Sequence, residues 1–140
     1  MNDIERVVVR FRNAGLKITP QRLSIFRLLM DNQNHPSADE IYRKVLDTHP
    51  SISFTTVYKT LKTLRDLGEI IEINIDPDRA HYDPMVEDHY HTFCLKCSKI
   101  KDFFPEPAMK AAFPSAAPEN GFMVQSVQVH MVGICSSCMD

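Results

Sequence analysis

SISFTTVYKTLKTLRDLGEIIEINIDPDRAHYD, residues 51 to 83, contains the change of hydrophobic period on which the fold turns. In its first half Val57, Leu61 and Leu64 share a helical face, Ser53 or Thr55 stands where an N-cap belongs, and Gly68 supplies a C-terminal stop. In its second half the strand-forming stretches 69 to 75 and 80 to 83 flank the turn Asp76-Pro-Asp-Arg79, so a hairpin is expected. A helix followed at once by a hairpin closes a winged helix-turn-helix when shorter helices precede it. In that arrangement the last helix enters a DNA major groove and the hairpin touches backbone.

Three helices do precede it. Ile4, Val7, Val8 and Phe11 fall at i, i+3, i+4 and i+7 before Gly15. Thr19 before Pro20 reads as an N-cap with proline at the first helical position, and Leu23, Phe26 and Met30 continue the stripe. Ser37 with Glu40 reads as a capping box leading into Ile41, Val45 and Leu46, stopped before Pro50.

Downstream, Pro84 to His89 reads as a hinge. Strands are expected over 91–95, 100–104 and 122–132, with a short helix between Pro105 and Pro118. The expected class is α+β: a winged-helix DNA-binding domain over 1–84, then a small α/β domain over 85–140 closed by cysteines.

A chain of 140 residues buries roughly two-thirds of its unfolded surface, enough for a modest core. With 44% hydrophobic and 24% charged residues it reads as globular, and no apolar run approaches the ~20 residues of a membrane helix. The first thirty residues lack the pattern of a signal peptide, so cytoplasm is the expected compartment. The net charge of −2 argues against coating nucleic acid by bulk charge. It is unevenly spread: residues 1 to 75 carry eleven Lys/Arg against nine Asp/Glu, residues 76 to 140 five against nine. A basic face fits the front half and cations the back half.

The cysteines carry the strongest chemical signal. Cys94 and Cys97, then Cys135 and Cys138, form two CxxC pairs separated by 37 residues. Two tight turns with two sulfurs each complete the tetrahedron that Zn²⁺ prefers, and four thiolates leave no open position, so the expected site is structural. Reduced thiols or two disulfides are the alternatives.

His89 and His91 alternate, placing both imidazoles on one strand face five and three residues before Cys94, with Asp83 upstream and Asp102 downstream. Imidazole and carboxylate donors suit Fe²⁺, Mn²⁺ or Zn²⁺. Two histidines on a strand face are also ordinary, and His35, alone, reads as a loop histidine before a helix. In the segment of residues 51 to 62, at the N-terminus of a helix, Thr55, Thr56, Tyr58, Lys59 and Lys62 lie off the apolar stripe, as groups for phosphates and base edges or as a solvated face.

Taken together, ITPQR (18–22), HPSADEIY (35–42), TTVYKTLKTL (55–64), DHYHTFCLKCSKIKDF (88–103) and GICSSC (133–138) resemble the ferric uptake regulator (Fur) family of bacterial metal-dependent repressors over nearly the whole chain. The resemblance implies a non-enzymatic homodimer that binds a palindromic operator. Tyr58 would contact thymine, Lys17 would reach the minor groove, and Arg22, Lys59 and Lys62 would anchor phosphates. One structural Zn²⁺ per subunit would sit on the four cysteines, and one regulatory Fe²⁺ or Mn²⁺ on His35, Asp83, His89, His91 and Asp102, bridging the two domains.

Aspartate at 83 and 102, where iron-sensing members commonly have glutamate, resembles the peroxide-sensing (PerR) branch, in which bound Fe²⁺ leads peroxide to oxidise a histidine ligand. By that match the targets are His35 and His89. The alternative within the family is an iron, manganese or zinc uptake regulator responding to metal level only. A further metal site of many members has Asp88, Tyr90 and Val127 at its places and is expected to be absent. His130 reads as a packed or hydrogen-bonded histidine, and His49 and His81 as surface residues. Rival classes are a small zinc hydrolase, which lacks an evident general base outside the proposed ligands, and a zinc-stabilised interaction module.

Overall fold

The computed structural model describes residues 1–30, 32–87, 89–108, 121–124 and 127–139. They divide into two compact units, Met1–Val86 and Glu87–Asp140.

The first unit runs α1 (Asp3–Asn13), α2 (Pro20–Leu29), α3 (Ala38–Leu46), α4 (Phe54–Asp66), then the antiparallel strands β1 (Ile71–Ile73) and β2 (His81–Asp83). Each helix begins at an oxygen-bearing side chain that accepts from an amide of its first turn: Asn2, Thr19, Ser37 and Ser53. Ser53 rather than Thr55 caps α4. A full reciprocal capping box forms at α1, where Asn2 and Glu5 exchange bonds of 2.8 and 3.1 Å. Gly68, at φ 74°, lets the Glu69 amide turn back to the Leu64 carbonyl at 2.9 Å, which ends α4.

The core is built mostly from the faces the sequence marks, but on α2 it adds Ile25 and Leu29 to Phe26 and Met30 and leaves Leu23 half-buried. Val7 and Phe11 of α1, Ile25, Phe26 and Leu29 of α2, Ile41 and Val45 of α3, and Val57, Leu61 and Leu64 of α4 are all 1% exposed or less. Phe11 meets the edge of Phe26 at 4.8 Å between centroids. Buried Glu69 takes Arg10 at 2.7 Å and Arg6 at 3.1 Å, tying α1 to the end of α4. The expected first strand starts at Ile71 instead of Glu69 because that clasp and the turn after α4 use residues 67 to 70.

In the second unit β3 (Tyr90–Cys94) lies between antiparallel β4 (Ile100–Phe103) and parallel β5 (His130–Gly133), followed by a 3₁₀ turn, Ser136–Cys138. The strand expected from Phe122 to Val132 is, in its described part, formed only from His130. The helix expected between 105 and 118 falls mostly outside the described residues, as does Asp88 of the expected-absent site. Tyr90, Phe93, Cys94 and Ile100 are the buried apolar side chains among the described residues of this unit. Among the described residues no helix is long and apolar enough to cross a membrane.

Candidate functional site

Register builds the thiol cluster. After β3 the chain turns through Cys94–Cys97, with Ser98 at φ 60° and its amide on the Cys94 carbonyl at 2.9 Å. The Cys135–Cys138 turn closes with an amide-to-carbonyl bond of 2.9 Å between its two cysteines. The turns meet because β5 runs beside β3: Leu95 N–H donates to the Gly133 carbonyl at 2.8 Å, and Cys135 N–H donates to Cys94 Sγ at 3.4 Å.

All four sulfurs lie within 4.8 Å of one another, and none is in a disulfide. Cys97 Sγ and Cys135 Sγ are 3.8 Å apart. Tetrahedral arms of about 2.3 Å place neighbouring sulfurs about 3.8 Å apart, so the cluster fits Zn²⁺. The protons are unequally held. Amide donation, first from Cys135 and then from Cys97, brings the Cys94 thiol down to about 6, while hydrogen bonding, first with Cys135, pushes Cys138 up to about 12. Thiols packed this closely compete for a few protons, which is the condition a cation relieves.

The remaining expected ligands form two sets, one in each unit. In the first unit His35 Nε2 is 3.2 Å from Asp83 Oδ2, both groups 2% exposed. His35 stands in the loop before α3 with φ 51°, a conformation that costs a non-glycine residue about 1–3 kcal/mol. Asp83 ends β2, its Oδ1 accepting the Met85 amide at 2.9 Å.

In the second unit His91 pairs directly with Asp102 across β3 and β4. Asp102 Oδ1 lies 3.0 Å from His89 Nε2 and 3.4 Å from His91 Nε2. A carbonyl only accepts, so His89 Nδ1–H donates to the Glu87 carbonyl at 2.7 Å, which leaves Nε2 as the ring atom that faces the carboxylate. An imidazole nitrogen and a carboxylate so placed can be joined by a shared proton or by a metal cation. Donors at right angles on arms of about 2.1 Å stand about 3.0 Å apart, so these spacings fit a divalent ion.

Of three other histidines, His81 and His49 depart from the expected surface position, whereas His130 is packed as expected. His81 is 6% exposed, not a surface residue, with both ring nitrogens engaged. His49 is half-buried, its Nε2 2.8 Å from Ser24 Oγ. His130 lies beside His91 in the parallel register, 5.9 Å between centroids, and its buried Nε2 has no hydrogen-bond partner among the described residues. Burial, and secondarily the charge of His91, lowers the His130 pKa.

On α4, Thr55, Tyr58, Lys59 and Lys62 are exposed opposite the buried Val57, Leu61 and Leu64, while Thr56 is half-buried and 2.9 Å from Ser53 Oγ. Tyr58 is held by Phe54, stacked at 6.5 Å, which in turn meets Tyr42 edge-on at 5.6 Å. Phe54 and Tyr42 were not legible as a support for Tyr58, although Phe54–Tyr58 is a helical i,i+4 pair. Lys17 is exposed. Arg22 is half-buried, donating to the Lys17 carbonyl at 2.5 Å with its guanidinium 6.0 Å over the Phe11 ring.

Helices and hairpin in winged-helix order, with a tetrahedral thiol cluster and histidine–carboxylate sets, define a class of helix-turn-helix proteins that carry metal sites. Residues 13–132 match the ferric uptake regulator family. The peroxide-responsive repressor PerR of Staphylococcus aureus (strain Mu50 / ATCC 700699) is 33% identical over 139 residues, 99% of this chain and 93% of that one. The structure of PerR from Streptococcus pyogenes is 34% identical, with TM-score 0.58, covering 99% of this chain and 95% of the other. The Helicobacter pylori ferric uptake regulator Fur, 24% identical, matches in fold with TM-score 0.82 over 99% and 92%. The chain belongs to the ferric uptake regulator family, whose members are metal-responsive transcriptional repressors and not enzymes.

Proposed function

We propose that this protein is a peroxide-sensing, metal-dependent repressor that works as a homodimer on a palindromic operator. The observation that carries the reading is the pair of aspartates, Asp83 and Asp102, each against an imidazole, at places where iron sensors of the family carry glutamate. The relatives named PerR support the same branch.

The four cysteines would hold one structural Zn²⁺. His35, Asp83, His89, His91 and Asp102 would hold one Fe²⁺ or Mn²⁺, with donors drawn from both units. An ion that needs both sets binds one arrangement of the units more tightly and shifts the population toward it. Bound Fe²⁺ would supply the activation of peroxide, with His35 or His89 as the group oxidised. The ring would give up two electrons to peroxide, gaining one oxygen at a ring carbon while the other is released as water, and a ring so oxidised would be a poor donor.

DNA contact falls to the exposed face of α4: Tyr58 for a thymine methyl, Thr55 and Thr56 for base edges or phosphate, Lys59 and Lys62 for phosphates. Lys17 would reach the minor groove, and Arg22, besides anchoring phosphate, holds the Lys17 backbone. Exposed Phe103, Phe104, Val132 and Ile134 on the second unit favour a second copy as cover. Cytoplasm is the compartment this role requires.

The test is peptide mass spectrometry on anaerobically Fe²⁺-loaded protein given low peroxide, beside an Mn²⁺-loaded control and a His91→Ala variant. One added oxygen on His35 or His89 in the iron sample alone is expected, together with loss of operator binding. Unmodified histidines with operator binding intact after peroxide move the protein to the metal-level branch. Operator binding of His91→Ala that equals wild type at every metal concentration removes His91 from the ligand set.

A further inference from the structure

His81 is buried at the start of β2 with an acceptor on each side of its ring. Nδ1 lies 2.6 Å from the His35 carbonyl oxygen and Nε2 2.9 Å from Asp76 Oδ2. A carbonyl and a carboxylate only accept, so both ring nitrogens donate in this arrangement. The Asp76 carboxylate is itself fixed: Oδ1 accepts the Asp78 amide at 2.9 Å and Oδ2 lies 3.9 Å from Arg79 Nε. Burial pushes the Asp76 carboxyl up, but bonding from His81, the Asp78 amide and the charges of His81 and Arg79 outweigh it and hold the group below its usual range. Two donors fall short of the three protein ligands of ordinary metal sites, so the pair is a hydrogen bond and not a metal site of its own.

The carbonyl that His81 holds belongs to the residue with φ 51°. The following residues are gripped by the same strand, with Tyr82 N–H donating to the Pro36 carbonyl at 2.9 Å and Ser37 bridging His81. The left-handed turn at His35 is thus fastened to β2, the strand that ends in Asp83.

We propose that His81, steadied by Asp76, is a positioning residue for the metal ligand His35: its Nδ1–H fixes the His35 carbonyl, keeps the left-handed turn, and so aims the imidazole at Asp83. This rests on the reading of His35 as a ligand. It assigns a role outside the metal's own donors, of the kind whose removal typically weakens binding 10–100-fold.

The two ring bonds can be separated. Asparagine places an N–H where imidazole has Nδ1, and glutamine places one nearer Nε2. In zinc-loaded full-length protein, Mn²⁺ affinity is read from free Mn²⁺ by electron paramagnetic resonance, beside the melting temperature. His81→Gln is expected to weaken Mn²⁺ binding about 10–100-fold, while His81→Asn stays within about threefold of wild type, although both melt lower. Equal loss in both variants, following the fall in melting temperature, overturns the positioning role in favour of burial alone. Affinity unchanged in both overturns it as well. The parallel variant His35→Ala separates the two levels: wild-type Mn²⁺ affinity there overturns the ligand reading, whereas a large loss there with none in His81→Gln overturns only this inference.

Discussion

Replacing Cys97 with serine removes one of four sulfurs that stand within 4.8 Å of one another, in a unit whose described apolar core is small. Its described buried apolar side chains are Tyr90, Phe93, Cys94 and Ile100. At about 1.5–3 kcal/mol for each of the three large ones, Tyr90, Phe93 and Ile100, such a core contributes on the order of 5–9 kcal/mol. Structural zinc contributes about 10–16 kcal/mol in small domains, so the ion rivals the apolar core of the unit. The first unit has Val7, Phe11, Ile25, Phe26, Leu29, Val57, Leu61 and Leu64 all at 1% exposure or less and needs no ion. Cys97→Ser is therefore expected to lower zinc content and to unfold the second unit while the first stays folded. Hydrogen exchange read by mass spectrometry separates the two: amides of Tyr90–Cys94 lose protection and those of Phe54–Asp66 keep it. Zinc-free protein whose Tyr90–Cys94 amides stay protected refutes the reasoning.

Leu64→Ala, at a site with no exposure, should cost about 3–5 kcal/mol in denaturant unfolding of the first unit, and a loss under 1 kcal/mol would mean that the core closes over the cavity. Lys62→Ala should weaken binding about equally on operator and random DNA and reduce the salt slope by about one; loss confined to the operator would make Lys62 a base reader. Asp102→Glu should keep metal-dependent operator binding but blunt histidine oxidation by peroxide, and full oxidation would remove the argument from carboxylate length.

The helices of the first unit were legible because their signals are local: Thr19-Pro20, Ser37 and Ser53 each place an oxygen at a helix start, and Val57, Leu61 and Leu64 repeat at helical spacing. The thiol cluster was legible because two CxxC turns have few other uses. His81 was not, since its burial depends on the loop at 35–37 closing over β2, a contact 46 residues away in sequence. A signal existed: His81 and Asp83 alternate in a strand, so whatever covers one covers the other. The Glu69 clasp was hidden for the same reason, its partners Arg6 and Arg10 lying some sixty residues earlier. β5 was overread because its apolar composition extends well beyond the four residues that pair with β3.

The Cys94–Cys97 turn joins β3 to β4, and those two strands carry His91 and Asp102 opposite each other. Side chains change face with every residue of slip, so this turn is a gauge that sets whether imidazole and carboxylate meet at all. Loss of an ion from the thiol cluster would then part imidazole from carboxylate, whatever that pair binds.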